Sequence, residues 1–324
     1  MESISALSDM LISDHGDTSS LDAITGYTVP AIRPRVQQTL AEQINFAGPG
    51  LHNGQVTNLR LVPAAANHGV RFFRTDLFNG ARLIIPSAAA VSQTQLCTLL
   101  SNEAGGEVGT IEHLMAALHA TGLSNVLIEI DGPEVPILDG SSAPFIDAIL
   151  DAGLITQDAP LSYLRIKREV HISDGNKAVT LSPQADPLSR DLDLDFTIDF
   201  AAACIGHQSF SLRLSPEAFW AEVGQARTFG FAEQIEAMRA KGLARGGSLK
   251  NAIIIENEAV KNPEGLRFAD EFVRHKLLDA VGDLFIEGLP VIGHYQGVRA
   301  GHDMTNRAMR ALMADAENFE IVQF

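Results

Sequence analysis

Short runs of alternating apolar and polar residues begin near Thr39 and predict half-buried strands. Residues 57–62 and 69–74 send successive side chains to opposite faces, as a strand packed on one side requires. Turn-forming residues at 48–50 and at Asn79-Gly80 punctuate these runs. Residues 1–34 show no sustained periodicity and are rich in Ser, Asp and Thr, so we predict a mobile extension there.

Longer runs with apolar residues three and four apart predict helices. The first half should contain helices at Ile111–Ala120, capped by Thr110, and at Ala143–Ala152, with a strand at Asn125–Ile130 between them. The second half should contain strands at Tyr163–Ile172, Ala178–Leu181, Leu192–Phe200, Ala252–Ile255 and His294–Val298. Its helices should lie at Pro216–Ala221, Phe268–Ile286 and Thr305–Ala316. An irregular segment is expected at Arg227–Gly230. Strands followed by helices, twice over, predict an α+β fold in two domains, 35–158 and 159–324.

Composition narrows the class of protein. The 324 residues are enough for about two domains, and 46% of them are hydrophobic, which is typical of a folded globular chain. The net charge of −16 argues against a general nucleic-acid binder. No apolar run reaches membrane-spanning length, and residues 1–32 hold no Lys or Arg for a secretory signal. We therefore expect a cytoplasmic protein.

Cysteine usage restricts the kinds of metal site that the chain can build. Cys97 and Cys204 are the two cysteines, and they form no CxxC pair. A metal ion would therefore be bound by histidine and carboxylate side chains, which is the ligand set typical of catalytic sites.

The long predicted helix carries four polar residues within one arc of its surface: His275, Lys276, Asp279 and Asp283. His275 and Asp279 are four residues apart, so both could bind a single ion. The alternative is an ordinary solvated helix face with ion pairs at helical spacing.

Two other positions offer related chemistry. Glu112 and His113 are adjacent at the start of a predicted helix, as when one residue binds a metal and its neighbour polarises water. Glu112 could instead only complement the helix dipole, and His302, in a predicted loop, could be structural. Together His113, His275 and Asp279 would leave a fourth coordination position for water.

From about Thr39 to about Met313 the chain resembles the UDP-3-O-acyl-N-acetylglucosamine deacetylases of bacterial lipid A biosynthesis. Five blocks in matching order carry the resemblance: 48–54, 110–118, 131–145, 227–231 and 273–284. The residues 303–306, Asp-Met-Thr-Asn, depart from the pattern that is usual in the family, so no role is transferred to Thr305.

The resemblance implies two domains, each a layer of sheet with a pair of helices, and an active site between them. It implies Zn²⁺ bound by His113, His275 and Asp279, with Glu112 as the general base. His302 would be the general acid, paired with Asp283. It further implies that Lys276 and Thr228 stabilise the oxyanion and that Phe229 lines the site. Phe200 would pack on the nucleotide, and Lys167 and Arg299 would lie near its phosphates. A β-α-β insert near 229–261 would hold the acyl chain.

The expected substrate is a small nucleotide-linked acylated sugar, bound by a monomer with at most peripheral membrane contact. Two alternatives stay open at this point. One is a zinc amidase of the same fold that acts on another acylated sugar, and the other is a catalytically silent zinc protein that serves as a binding module. The insert could also be a simple edge hairpin packed on the core.

Overall fold

The computed structural model describes residues 35–324, and the predicted extension over 1–34 lies outside this range. The described part contains six α-helices: α1 Glu112–Thr121, α2 Ala143–Ala152, α3 Pro216–Glu222, α4 Ala232–Ala240, α5 Glu271–Leu284 and α6 His302–Met313. Two 3₁₀ turns occur at Asn79–Arg82 and Ala88–Ala90. Within residues 35–324 no helix is both long enough and apolar enough to cross a membrane.

The first half is built on a five-stranded sheet of order β2-β3-β9-β4-β5. A smaller sheet of order β6-β7-β8 lies beside it. The strands of this half are β1 Val36–Leu40, β2 Ile44–Pro49, β3 Val56–Pro63, β4 Val70–Arg74, β5 Leu83–Ile84, β6 Val91–Gln93, β7 Leu99–Ser101, β8 Glu107–Val108, β9 Val126–Ile130 and β10 Leu154–Pro160. In β3 the side chains of Thr57, Leu59 and Leu61 are buried and their neighbours are more exposed, as the alternating pattern predicts.

The second half is built on a seven-stranded sheet with β19 at its centre, next to β11, β13 and β14. A separate three-stranded sheet of order β16-β17-β18 forms the insert, where α4 joins the parallel strands β16 and β17. The strands of this half are β11 Tyr163–Ile166, β12 Val170–Asp174, β13 Lys177–Ser182, β14 Leu192–Asp199, β15 His207–Arg213, β16 Phe229–Phe231, β17 Ile253–Glu256, β18 Ala259–Val260, β19 Val291–Val298 and β20 Phe319–Val322.

The two halves share one hydrophobic core. Strand β10 pairs antiparallel with β1 and runs through the predicted boundary at residues 158 and 159. Helices α1 and α2 belong to the first half, and α5 and α6 belong to the second. One continuous cluster of buried apolar residues extends from β1 to α6. The predicted α+β fold class is confirmed.

Several predicted element boundaries are wrong for local reasons. Thr110 does not cap α1, because it has φ 54° and its hydroxyl donates to Glu134 Oε1 at 2.9 Å. The strand predicted over Tyr163–Ile172 is interrupted, since the backbone N–H of Lys167 donates to Asn318 O. Helix α6 begins at His302, three residues earlier than predicted, so His302 lies on a helix. The segment expected to be irregular contains β16.

Helix α5 is largely buried near the centre of the molecule, and it packs directly on α1, whose ten residues are all buried. Twelve of its fourteen residues are buried, including His275, Asp279 and Asp283. This burial rules out the alternative of a solvated polar face. At Gly282 the two helices come so close that a Cβ atom would overlap the carbonyl oxygen of Glu112. The small residue therefore sets the distance between the two helices.

We predict that Gly282→Ala destabilises the protein, although alanine is intrinsically favoured in a helix by about 1 kcal/mol. The added methyl group would push α1 away from α5, and overpacking of this kind lowers the free energy of unfolding by about 1–3 kcal/mol. Urea unfolding would measure the change. The matched control is Gly80→Ala, at an exposed turn where the new Cβ lies 3.4 Å from Ala104 Cβ. Equal stability of the Gly282 variant and the wild type would contradict the close packing.

Candidate active site

A cavity of about 1180 Å³, including the space at its open mouth, lies between the two halves. Most of the predicted site residues line it: Glu112, His113, Phe200, Thr228, Phe229, His275, Lys276, Asp279 and His302. Asp283 lies behind His302, with its Oδ2 atom 2.8 Å from His302 Nδ1. Residues that are far apart in the sequence therefore meet because α1, α5 and the start of α6 converge at this cavity.

Three of these residues form a cluster that can hold a metal ion. The candidate ligand atoms of His113, His275 and Asp279 lie within 4.8 Å of one another, and all three residues are buried. Asp279 Oδ1 is 3.5 Å from His113 Nε2 and 3.4 Å from His275 Nε2. This oxygen is buried without a hydrogen-bond partner among the described residues, as expected of an atom whose partner is an ion.

The protonation states in this cluster also suit a metal site. Burial lowers the pKa of His275 to about 3, so its ring is neutral and has a lone pair to donate. Its Nδ1–H donates to Ala226 O at 3.0 Å, which leaves Nε2 directed at Asp279. Burial opposes ionisation of Asp279, but the charge of Lys276 holds the pKa of that carboxyl well below its ordinary value. Two imidazoles and one carboxylate form a set that fits a catalytic Zn²⁺ site.

Glu112 and His302 flank the cluster and differ in their acid–base character. Burial raises the pKa of Glu112, so it is a stronger base than an exposed carboxylate. Burial alone would lower the pKa of His302, but Asp283 and then Glu112 raise it to about 9. His302 Nε2 lies 3.7 Å from Glu112 Oε1. The cavity therefore holds a carboxyl group that burial makes more basic, 3.7 Å from a protonated imidazole.

Lys276 and Thr228 supply hydrogen-bond donors to the same cavity. Lys276 Nζ donates to Asp279 Oδ2 at 2.6 Å. Burial lowers the pKa of Lys276, but the neighbouring Asp279 raises it above its ordinary value, so the side chain stays charged. The Thr228 backbone N–H donates to Gly140 O, and its carbonyl accepts from Ile253 N–H, so this residue is held on both sides.

A buried ion pair fixes the segment before Thr228 on α5. Arg227 N–H and Nε donate to Glu271 Oε1 at 3.0 and 2.9 Å, and neither side chain is accessible to bulk solvent. His275, one turn further along α5, binds the carbonyl of Ala226. The helix therefore holds consecutive residues of this segment, which explains why the Arg-Thr-Phe block faces the metal cluster.

An aromatic wall forms the side of the cavity next to the insert. The ring of Phe229 packs edge-on against Phe200 at 5.7 Å and against Phe272 at 5.0 Å, measured between ring centroids. Phe231 adds a fourth ring next to Phe200, at 6.0 Å. Gln234 on α4 also lines the cavity. The insert is a β-α-β unit with an apolar face towards the site.

Two predicted contacts lie away from the cavity wall. Lys167 is exposed between β11 and β12. Arg299 forms an ion pair with Asp199, next to Phe200, and neither Lys167 nor Arg299 is among the lining residues that the structure places around this cavity.

The cavity also contains residues that sequence reasoning missed, among them Leu51, Leu96, Asp174, Lys177 and Asp303. Lys177 stands at the end of the hairpin Asp174-Gly175-Asn176-Lys177. The Asp-Gly pair predicts the turn of this hairpin, but nothing in the sequence indicates that the hairpin lies next to the site.

The block 48–54 lies beside the cavity and is held by one buried carboxylate. Glu134 Oε1 accepts from the backbone N–H of His52 at 2.7 Å, and Glu134 Oε2 accepts from that of Asn53 at 2.8 Å. A Cβ at Gly50 would lie 2.7 Å from Glu134 Cδ, so only glycine fits there. The anchored loop places Leu51 on the cavity wall.

The α+β fold and the buried cluster of His113, His275 and Asp279, with Glu112 and His302 beside it, are typical of a metal-dependent hydrolase. The model of the UDP-3-O-acyl N-acetylglycosamine deacetylase family matches residues 37–314. The chain belongs to this family.

Curated relatives agree with this assignment. A protein of Pasteurella multocida is 45% identical over 290 residues, which cover 89% of this chain and 93% of that protein. One of Phenylobacterium zucineum is 45% identical over 288 residues, 89% of this chain and 97% of its own length. One of Haemophilus influenzae is 43% identical over 290 residues, again 89% of this chain and 93% of that protein. Each is named UDP-3-O-acyl-N-acetylglucosamine deacetylase.

Proposed function

We propose that the protein removes the N-acetyl group of UDP-3-O-(3-hydroxyacyl)-N-acetylglucosamine by zinc-dependent hydrolysis, which releases acetate, as a step of lipid A biosynthesis. The observation that carries the proposal is the placement of Glu112 and His302, 3.7 Å apart, beside the cluster of His113, His275 and Asp279. Relatives with 45% identity bear the name of this deacetylase, which supports the choice of substrate.

The three clustered side chains would hold the metal ion. Bound Zn²⁺ would polarise the acetamide carbonyl and increase the acidity of water. Glu112, with its raised pKa, accepts the proton of the attacking water. Lys276 and Thr228 face the same cavity and stabilise the negative charge that develops on the carbonyl oxygen.

The amine must leave as a neutral group, so its nitrogen needs a proton. His302 is protonated at neutral pH and provides that proton from Nε2, while its Nδ1–H remains bound to Asp283. Asp283 thereby keeps the ring oriented and stabilises its charged form. The acid and the base belong to different helices, α6 and α1, and both line the same cavity.

The rest of the substrate has its own proposed contacts. The aromatic ring of Phe200 packs on the nucleotide, and Phe229 lines the reacting end of the site. Lys167 and Arg299 contact the phosphates beyond the cavity wall, and Lys177 adds a positive charge inside it. Because both halves of the site come from one chain, we propose a monomer. It would act in the cytoplasm, with at most peripheral contact to a membrane.

The decisive experiment is acetate release from the nucleotide-linked acylated sugar by the purified, zinc-loaded protein. Glu112→Gln keeps the shape of the side chain but removes the base, so we expect turnover to fall by roughly 10²–10⁴. Zinc content should stay at that of the wild type, which metal analysis can measure.

The matched comparison is the double variant His275→Ala, Asp279→Ala, which should lose both zinc and activity. Full zinc content in this variant would contradict the ligand assignment. If the wild type releases acetate only from other acylated sugars, it is an amidase of different specificity. If it binds zinc but releases none from any of them, it is a binding module.

The rate should show a bell-shaped dependence on pH, because the base must be deprotonated and the acid protonated. Burial raises the pKa of Glu112 from its ordinary value of 4.5 and a bound dication would oppose that rise, so the acidic limb reports the balance of these two effects. The pKa of His302 is raised from 6.5 to about 9, and a neighbouring dication would draw it back, so the alkaline limb should fall between these values. Activity is then lost as pH rises through that limb. An unchanged alkaline limb in His302→Ala would remove His302 from this role.

We propose that the insert at 229–261 holds the acyl chain of the substrate against the aromatic wall. Each buried methylene contributes about 0.8 kcal/mol, so chains that differ by a few carbons should differ in kcat/KM by orders of magnitude. The measurement is kcat/KM across a series of acyl lengths, with the substrate that lacks the acyl chain as the control. Equal values throughout the series would contradict this role of the insert.

A further inference from the structure

Thr98 connects two groups of the site that lie on different helices. This buried residue directly precedes β7 and is 3% exposed. Its hydroxyl donates to Asp283 Oδ1 at 2.6 Å, and its backbone N–H donates to Glu112 Oε2 at 3.1 Å. Asp283 is the partner of His302. One residue therefore contacts both the base and the carboxylate that orients the acid.

The carboxylate of Asp283 has a different partner for each oxygen. Oδ1 accepts from Thr98, and Oδ2 accepts from His302 Nδ1. The terminal torsion of an aspartate side chain is broad and roughly two-fold, so a single hydrogen bond leaves the carboxylate free to rotate. The second bond, from Thr98, fixes the plane of the carboxylate. That plane in turn sets the direction in which Nε2 of the His302 ring points.

The segment around Thr98 brings hydrogen-bond donors to the carboxylates without adding charge. Burial raises the pKa of the adjacent Cys97 thiol to about 12, so this side chain stays neutral beside Glu112. Leu96 has φ 73°, a conformation that leucine adopts only when its surroundings require it. In the described part of the chain, the cavity wall includes Leu96 but not Thr98. Thr98 therefore acts through other residues.

We propose that Thr98 is a positioning residue, which aligns the acid His302 through Asp283 and the base Glu112 through its own amide. The proposal rests on the proposed function, because alignment matters only if both groups act on one substrate. The consequence is that the hydroxyl of Thr98 contributes to kcat and not to substrate binding.

The first test compares two substitutions that differ in the hydroxyl. Thr98→Val keeps the shape and the backbone N–H but removes the hydroxyl, and Thr98→Ser keeps the hydroxyl. We expect Thr98→Val to lower kcat by about 10- to 100-fold, the usual cost of removing a supporting partner of a catalytic group, with KM unchanged. Thr98→Ser should restore most of kcat. A change confined to KM, or failure of serine to restore kcat, would overturn the proposal.

A matched control makes the same substitution at another buried threonine. Thr121 is 5% exposed at the end of α1, and its hydroxyl donates to the backbone oxygen of Ala117 at 2.8 Å. Thr121→Val should leave kcat unchanged. If Thr98→Val does not fold, Thr98→Ala and Thr98→Ser form a second pair that differs by one hydroxyl, and kcat should again be lower for the variant without it. Equal kcat in that pair would overturn the proposal.

The second test asks whether Thr98 acts through Asp283. In the Asp283→Ala background, Thr98→Val should cause no further fall in kcat, because its partner is already absent. A fall of the same size as in the wild type would show that the hydroxyl acts elsewhere and would overturn the proposal. Zinc content is measured for each variant and should be unchanged.

The unfolding midpoints of the wild type, Thr98→Val, Asp283→Ala and the double variant provide a readout that does not depend on activity. Removing the hydroxyl should lower the midpoint only where Asp283 is present. Absence of acetate release by the wild type would refute the proposed function, whereas equal midpoint losses in both backgrounds would refute the Thr98–Asp283 contact.

Discussion

The close approach of α1 and α5 is the constraint on which the rest of the site depends. Glu112 and His113 open α1, while His275, Lys276, Asp279 and Asp283 follow one face of α5. These residues meet only because Gly282 has no side chain where the helices touch. A larger residue would separate the first-half histidine from the second-half ligands. The spacing between two helices thus determines whether His113, His275 and Asp279 come close enough to hold one ion.

This packing buries many charges in a small volume, and they compensate one another. Glu112, Asp279 and Asp283 lie opposite Lys276 and the protonated His302. Burying ion pairs is costly, and apolar residues of similar size are often more stabilising. The cluster is therefore better explained by its chemistry than by its contribution to stability. The buried pair of Arg227 and Glu271 differs, because it fixes a backbone segment beside the site and does not line the cavity.

Sequence reasoning succeeded where one helix carries the information. The spacing of His275 and Asp279 predicts a shared ligand face, and the structure places both side chains at one point. The spacing could not show that this face is buried, because burial depends on α1, which lies more than a hundred residues away. Thr110 failed as a predicted cap, since its hydroxyl binds Glu134, a partner outside its own helix. Thr98 and Lys177 carry no local signal, because their importance comes from what the fold brings next to them.

The residues proposed to act in the reaction lie mostly on helices, and the remaining residues of the cavity wall lie mostly on shorter segments. The candidate ligands His113, His275 and Asp279 and the proposed base Glu112 lie on two packed helices, where backbone hydrogen bonds and core contacts fix their positions. Leu51, Leu96 and Thr228 lie on shorter segments, and a buried group anchors each one. Glu134 anchors the segment of Leu51, and the hydrogen bonds from Thr98 to Glu112 and Asp283 anchor that of Leu96. The Arg227–Glu271 ion pair anchors the segment of Thr228. The anchors hold the backbone of these segments in place, so that the side chains that face the cavity keep their positions relative to the two helices. The helices therefore fix the candidate ligand cluster, and the anchored segments fix the wall around it.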